Sequence, residues 1–474
     1  MKVKSFPSGW LERHGRRLDC GPYISGSLEA QAIIDGLRAP KQLLSEITQG
    51  PYGGVYRPPI FGMQFARATV DSEDVGVPFV TGSSILWADQ SKLPLISARV
   101  ARSKKYAVLE LRPGMTLISC SGTVGRMAYA GPNASAVWSS QAVMKVVPDP
   151  KKVPTGYVYA FLKSKHGAAL VSKGTYGALV PQIEREHLVD VPVPRFGADV
   201  ENVAHRLMEQ AAHELRRYQQ EIQRATDTLF RAVGLTDINR STWHRAGRDL
   251  GFSCRVESAD SLRALNFVPR FRTLLENIGR RNHKLLGELC LPGTLQRGGR
   301  FKRIDADPEH SYQLVGQREL FWLRPEGRWI AKSAAGKDVL VPPGTILVAA
   351  RGTLGESELY CRGEFIWGPA TRFAYSEDLL RVIADPDKMP TGCLYAFMRS
   401  ETAFRMLRSI STGTKLQDHH RVMLAALPVP VPASKVQHEI HNLVVDAYEA
   451  RHKAVALEDQ AITLVEDAIE KGAN

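Results

Sequence analysis

Apolar residues recur along this chain with two different spacings, and the longer-range one appears twice. From about 199 to 233, Val203, Leu207, Ala211, Leu215, Tyr218, Ile222, Ala225 and Leu229 follow one another at steps of three and four, with no Gly or Pro between them. Near the C-terminus, Ile440, Leu443, Ala447, Ala450, Ala454, Leu457, Ala461, Leu464 and Ala468 repeat the pattern in strict four-three alternation. A seam of this period predicts helices over 199–236 and 435–474 that supercoil against another helix. At 1.5 Å per residue each is roughly 50 Å long. The small alanines of the second seam admit close approach by the bulkier first.

Between these helices the pattern shortens to strands and turns. Val77–Val80, Ala107–Leu111, Met115–Ser119 and Ala142–Val147 predict strands, with Arg112-Pro113-Gly114 as a tight turn between two of them. Residues 27–47 predict a short helix and a docking segment, and a further helix is expected from Gly156 to Val171. Val191-Pro192-Val193-Pro194 reads as an edge or exit strand, because proline lacks the amide a central strand needs.

Much of this is then said again. Pro154-Thr155-Gly156-Tyr157-Val158-Tyr159-Ala160-Phe161 returns as Pro390-Thr391-Gly392-Cys393-Leu394-Tyr395-Ala396-Phe397, a shift of 236 positions in a chain of 474. Gly122-Thr123-Val124-Gly125 returns as Gly352-Thr353-Leu354-Gly355, and Val429-Pro430-Val431-Pro432 repeats the exit. Two copies of one domain imply two similar tasks. The expected division is 1–198, a helix 199–236, a second domain 237–434 and a helix 435–474. The segments 48–106 and 290–336 share little sequence, which suggests one scaffold carrying two different inserts.

A formal net charge of +13 points to a polyanion or an acidic partner, with nucleic acid the first candidate. The six cysteines are scattered without a Cys-x-x-Cys pair and read as thiols of a reducing cytosol. No signal-peptide pattern and no run of about 18 apolar residues is present, so a cytoplasmic protein away from the membrane is expected.

Enzyme chemistry finds little support. The two Gly-Thr-x-Gly stretches lack the continuation of a phosphate-binding or dinucleotide loop and read as strand-end turns. Asp418-His419-His420 and the pair His438 and His441 lack the ligand cluster of a zinc site. Asp385-Pro386-Asp387-Lys388 resembles part of a nuclease motif, but its counterpart Asp149-Pro150-Lys151-Lys152 drops the second acid, which favours a loop. No catalytic residue, metal or cofactor is expected in the chain itself.

Cations concentrate where the copies differ. Arg99, Arg102, Lys104 and Lys105 in the first domain, and Arg280, Arg281, Arg297, Arg300, Lys302 and Arg303 in the second, are candidates to neutralise phosphates. Gln49, Arg57, Gln64, Gln296, Arg297, Arg300, Gln313 and Gln317 lie in the same segments and are candidates to match base edges, with Tyr56 and Arg67 close to the first basic run. A non-enzymatic protein scaffold holding an acidic partner is the rival reading, separable by salt-dependent retention on duplex DNA.

The ordered set Arg17-Leu18-Asp19-Cys20-Gly21-Pro22-Tyr23, Gly122-Thr123-Val124-Gly125, Leu162-Lys163-Ser164, Pro181-Gln182-Ile183 and Val191-Pro192-Val193-Pro194, followed by a long helix, resembles the specificity (S) subunit of type I restriction-modification systems. The resemblance covers nearly the whole chain. It implies an α+β fold with two homologous mixed α/β target-recognition domains separated by a long antiparallel two-helix coiled coil, related by a pseudo-two-fold. It further implies a non-catalytic subunit that reads a bipartite asymmetric duplex DNA site. Two adenine-methyltransferase subunits would dock on it, with restriction/translocase subunits joining in phage defence; S-adenosylmethionine, ATP and Mg are implied only for those partners. Arg263-Ala264-Leu265-Asn266-Phe267 departs from the acidic opening, so a related defence or modification system using the same kind of subunit is the alternative.

Overall fold

The computed structural model describes residues 5–13, 21–57, 76–175, 180–246, 249–255, 260–336 and 338–473. They form two compact units, one from the described residues among 1–216 with 453–473, the other from those among 217–452.

In the first unit a four-stranded antiparallel sheet runs in the order Val55–Tyr56, Val143–Val146, Thr116–Ser119, Met127–Tyr129. A three-stranded sheet pairs Gly76–Val80 antiparallel with Leu95–Ser97 and parallel with Trp138–Ser139. The exit strand Pro192–Pro194 pairs with Lys41–Leu43, an edge position where two prolines are tolerated. The main core gathers Ile118, Met144, Val146, Tyr157, Phe161 and Leu170 with Ala204 and Met208 of one long helix and Ala461, Val465 and Ile469 of the other.

The second unit repeats this strand for strand. Its four-stranded sheet has the order Gln296–Arg297, Leu379–Val382, Ile346–Ala349, Gly363–Phe365. Ser311–Val315 pairs antiparallel with Arg328–Ala331 and parallel with Ala374–Tyr375, and Pro428–Pro430 pairs with His283–Leu285. The segments that share little sequence therefore carry the same strands, because alternation of inward apolar positions is all that the frame demands of them.

Two expected elements differ. The helix over 156–171 is two, Thr155–Lys163 and Lys165–Lys173, because the Ser164 hydroxyl accepts the Gly167 amide at 3.1 Å and starts a new helix. Ser400 does the same for Glu401–Ser409 with the Ala403 amide. The expected strand 107–111 is instead a 3-10 segment, Lys104–Leu109, with a single bridge from Glu110 to Trp138. Leu109 and Leu111 are buried without a neighbouring strand to complete a ladder. The other three expected strands form within a residue of their predicted ends.

The long helices are Ala198–Ala232 and Ser434–Ala473. Of the expected seam, Ala211, Tyr218, Ile222, Ala225, Leu229, Ile440, Ala447, Ala454 and Ala461 are buried. Leu207, Leu443, Leu457 and Leu464 are only half-buried, and Met208, Val444, Glu458 and Val465 take the interior positions. The interior spacing of the second helix runs 440, 444, 447, 451, 454, 458, 461, 465 and includes two charges. Arg451 is accepted because its guanidinium meets Glu364 Oε1 and the Trp322 carbonyl, each at 2.6 Å. Glu458 is accepted because the Tyr159 hydroxyl donates to it at 2.6 Å. A purely apolar count passes over both.

Each unit rests on its helix through the repeated Pro-Thr-Gly. The Gly156 amide donates to His205 Nδ1 at 3.2 Å, and a Cβ there would stand 2.9 Å from the His205 Cα. The Gly392 amide donates to His441 Nδ1 at 3.1 Å with the same 2.9 Å approach. His441 is thus a docking residue rather than a ligand. A Cβ fits this contact only if a neighbour shifts, which accounts for the glycine at the same place in both copies.

Candidate nucleic-acid interface

A corner of each unit is assembled from the end of the first sheet strand, the Gly-Thr-x-Gly turn and a returning segment. In the first unit, Ser121 bridges Gln182 and the Gly122 amide donates to the Pro181 carbonyl at 3.0 Å. Arg57 leaves the strand Val55–Tyr56 and spans the corner, bonding Gln182 Oε1 at 3.1 Å and Glu184 Oε1 at 2.6 Å. In the second unit Gly352 bridges Gln417, whose amide donates to the Gly352 carbonyl at 2.9 Å. The registers Tyr56↔Lys145 and Gln296↔Arg381 make Arg297 the counterpart of Arg57. Arg297 accordingly pairs with Asp418 at 3.2 Å. Both Gly-Thr-x-Gly stretches are turns at strand ends that organise this corner.

These arginines are already committed to carboxylates, so their charge is largely offset and their geometry fixed. Gln317 is committed as well: its Nε2 donates to the Arg351 carbonyl and its Oε1 accepts the Arg351 amide, both at 3.0 Å. Tyr56 is buried, and Gln313 is half-buried on the strand Ser311–Val315 opposite Trp329. Gln49 and Gln296 are exposed, whereas Gln64 and Arg67 lie outside the described residues, as do Arg17, Asp19 and Cys20.

The exposed cations fall into two groups. Arg99, Arg102, Lys104 and Lys105 project from the short helix Ala98–Ala101 and the 3-10 segment after it; Ser97 caps that helix by accepting the Val100 amide at 3.3 Å. No acid stands between residues 98 and 109. In the second unit Arg300, Lys302 and Arg303 are exposed, with Arg303 2.7 Å from Glu377. Arg280 and Arg281 follow the helix Pro269–Gly279, the first 3.6 Å from Glu276 and the second bonded to the Gly234 carbonyl. The first group places four exposed cations within seven residues, a density of positive charge of the kind a phosphate backbone attracts.

A further pair of cations escaped sequence reasoning. Lys145 and Arg381 occupy equivalent positions in the sheet, and both are buried. Arg381 donates to the Asp338 carbonyl at 2.9 Å. Among the described residues Lys145 has no hydrogen-bond partner; it sits 5.5 Å from the centre of the Tyr56 ring and is pulled by burial down to about 7. The signal was available: each interrupts an otherwise apolar strand, Val143-Met144-Lys145-Val146 and Leu379-Leu380-Arg381-Val382.

The remaining titratable groups are structural. His419 is half-buried with Nε2 3.3 Å from Cys361 Sγ, stacks on Tyr360, and is pushed by desolvation to about 4. Asp385 accepts the Asp387 amide at 3.2 Å, and Asp149 accepts the Lys151 amide at 3.0 Å, so both Asp-Pro sequences are turns. Among the described residues no group of three or more His, Cys, Asp or Glu could hold a metal ion, and no helix is long and apolar enough to cross a membrane.

No protein-family model matches the chain, and no curated protein matches it. Solved structures do. The type I restriction-modification S subunit from M. genitalium aligns over 92% of this chain and 96% of its own, at 11% identity and a TM-score of 0.32. The HsdS subunit from Thermoanaerobacter tengcongensis aligns over 91% and 96%, at 13% identity and a TM-score of 0.26. A chain from a study of assembly and conformational transition of the type I R-M system aligns over 92% and 98%, at 14% identity and a TM-score of 0.27. With TM-scores this low the likeness by itself decides neither fold nor function. In its motifs, and in the solved structures it matches, the chain is similar to the specificity subunit of type I restriction-modification systems.

Proposed function

We propose that this chain is a non-catalytic DNA-recognition subunit in which each unit reads one block of a bipartite, asymmetric duplex site. The observation that carries the reading is the duplication: one sheet frame built twice, strand for strand, on which the basic and glutamine-bearing segments differ. Two frames with different surfaces suit two half-sites of different sequence. Positive charge attracts the backbone, while exposed side chains such as Gln49 and Gln296 suit base edges. The helices 198–232 and 434–473 are proposed to pair antiparallel as a spacer of fixed length, with the buried positions 204, 208, 211, 218, 222, 225 and 229 of the first recurring at 440, 444, 447, 454, 458, 461 and 465 of the second. Two adenine-methyltransferase subunits, and restriction or translocase subunits with them, are the proposed partners; S-adenosylmethionine, ATP and Mg would belong to those partners.

The test is selection of duplexes from a randomised library by the full chain, with and without the methyltransferase subunits. The expected result is two short conserved blocks at constant separation. Lengthening both long helices by one heptad, about 10 Å, keeps the seam in register. It is expected to widen the gap by about two to three base pairs at 3.4 Å each, with both blocks unchanged. A single block, or a gap insensitive to helix length, refutes the reading.

A further inference from the structure

The loop Gly50-Pro51-Tyr52-Gly53-Gly54 leads into the strand Val55–Tyr56 that precedes Arg57, and its backbone turns left-handed at three successive residues. Tyr52 has φ 53° and ψ 33°, Gly53 has φ 73° and ψ 17°, and Gly54 has φ 81°. Glycine takes these angles freely, but a tyrosine in the left-handed region is strained by its Cβ against the following carbonyl. Burial does not compensate for that strain, since Tyr52 is 59% exposed.

The loop is nonetheless firmly held. Arg185 Nε donates to the Tyr52 carbonyl at 3.2 Å and to the Val55 carbonyl at 2.9 Å, and Thr48 Oγ1 donates to the Gly53 carbonyl at 2.7 Å. The Val147 amide clasps the Gly54 carbonyl at 2.7 Å. The Tyr52 ring leans on the buried Tyr56 ring, with centroids 5.9 Å apart at 44°, so one side is braced while the rest faces outward. The corresponding loop of the second unit, Leu291-Pro292-Gly293-Thr294-Leu295, has left-handed Gly293 and Leu295 but no aromatic residue.

We infer that Tyr52 is a base-contacting residue of the first unit, its braced aromatic ring meeting a nucleobase of the half-site that this unit reads. The inference rests on the DNA-recognition reading above. A strained, exposed aromatic on a fixed loop is retained against stability, and strain of this kind concentrates where a side chain must be presented. A ring already oriented loses little freedom on contact. Arg185, which holds the Tyr52 carbonyl, follows directly on the Glu184 that engages Arg57, and this ties the loop to the corner described above. Contact with a base edge, such as a thymine methyl in the major groove, rather than with a phosphate, follows from the chemistry of an uncharged ring.

The experiment compares the full wild-type chain with Y52G and Y52F on duplexes enriched by the wild type from a randomised library, across a range of salt concentrations. Loss of one base-edge contact worth about 1–3 kcal/mol corresponds to a loss of about 5- to 150-fold for Y52G. The salt dependence should be unchanged because no phosphate contact is lost. Y52F should bind within about twofold of wild type, since the ring carries the contact. The melting temperature of Y52G should not fall, because glycine relieves the left-handed strain. Wild-type binding by Y52G, a reduced salt slope, or a clear fall in its melting temperature overturns the inference while leaving the DNA reading intact. Failure of the wild type to enrich any sequence overturns both.

Discussion

Replacing Lys145 by Met tests the physical account of the first sheet most sharply. The lysine is fully buried, makes no hydrogen bond among the described residues, and has the Tyr56 ring near its ammonium, so burial lowers it from 10.5 to about 7. In the unfolded chain the amine keeps its ordinary value. Between about pH 7 and 10.5 the unfolded state therefore binds more protons than the folded one, and stability rises with pH across that window. At 1.36 kcal/mol per unit the complete difference is about 5 kcal/mol, felt in full below about pH 7 and absent above about 10.5. Integrating over the accessible part, the wild type gains about 2 kcal/mol between pH 7 and 9 relative to a variant with no titrating group. Methionine matches the length of the lysine stem and removes the charge, so K145M should be more stable than wild type at pH 7 by up to about 4 kcal/mol. Thermal melts at pH 7, 8 and 9 and constant ionic strength read this directly. The advantage in melting temperature should shrink by about 4–8 °C over that range, at about 2–4 °C per kcal/mol for a unit of this size. An advantage that does not change with pH, or a K145M chain less stable than wild type at pH 7, refutes the reasoning.

Two further predictions concern how the units sit on their helices. Arg451→Leu strips the buried Glu364 of its cation and should destabilise the chain by about 3–5 kcal/mol. The double variant R451L/E364A installs the residues found at the equivalent positions 215 and 128 and should recover most of that loss; a cycle of denaturant midpoints shows whether the two effects are coupled. Gly156→Ala inserts a methyl group where a Cβ stands 2.8 Å from Met208 and 2.9 Å from the His205 Cα. Overpacking of this kind should lower stability by about 1–3 kcal/mol, measured in the same way, and Gly392→Ala should match it.

The sequence made the frame legible because its signals are local. Apolar periodicity without Gly or Pro specified both long helices, and the repeated Pro-Thr-Gly and Val-Pro-Val-Pro marked where each unit rests and leaves. The repeat also carried more than its letters. Segments 48–106 and 290–336 share a strand order that cannot be read by comparing residues, since a sheet constrains only which positions face inward. What remained hidden depended on partners distant in the chain. Leu457 outranks Glu458 in any apolar count, yet Glu458 takes the interior position because the Tyr159 hydroxyl, 299 residues away, reaches it. Gln317 and Arg297 looked like readers from their type and setting, but the Arg351 backbone and Asp418 engage them.

That contrast separates two classes of polar residue in this chain. A polar side chain whose hydrogen-bonding capacity is spent inside the unit fixes shape, and removing it should be felt in stability. One left outward with its backbone held still, as Tyr52 and Gln49 are, contributes little to folding and is free for recognition. Arg57 shows the first class at the edge of the second: it stands at the proposed reading corner, yet Glu184 and Gln182 already engage its guanidinium. Its removal should therefore loosen the corner before it removes any contact to DNA, so discrimination and stability would fall together. The exposed Arg102 and Lys104, by contrast, are proposed to attract a polyanion without shaping the fold. The two copies diverge in what they expose while agreeing at this corner, where Arg57 and Arg297 each meet a carboxylate, as the proposed use of one scaffold for two different half-sites requires.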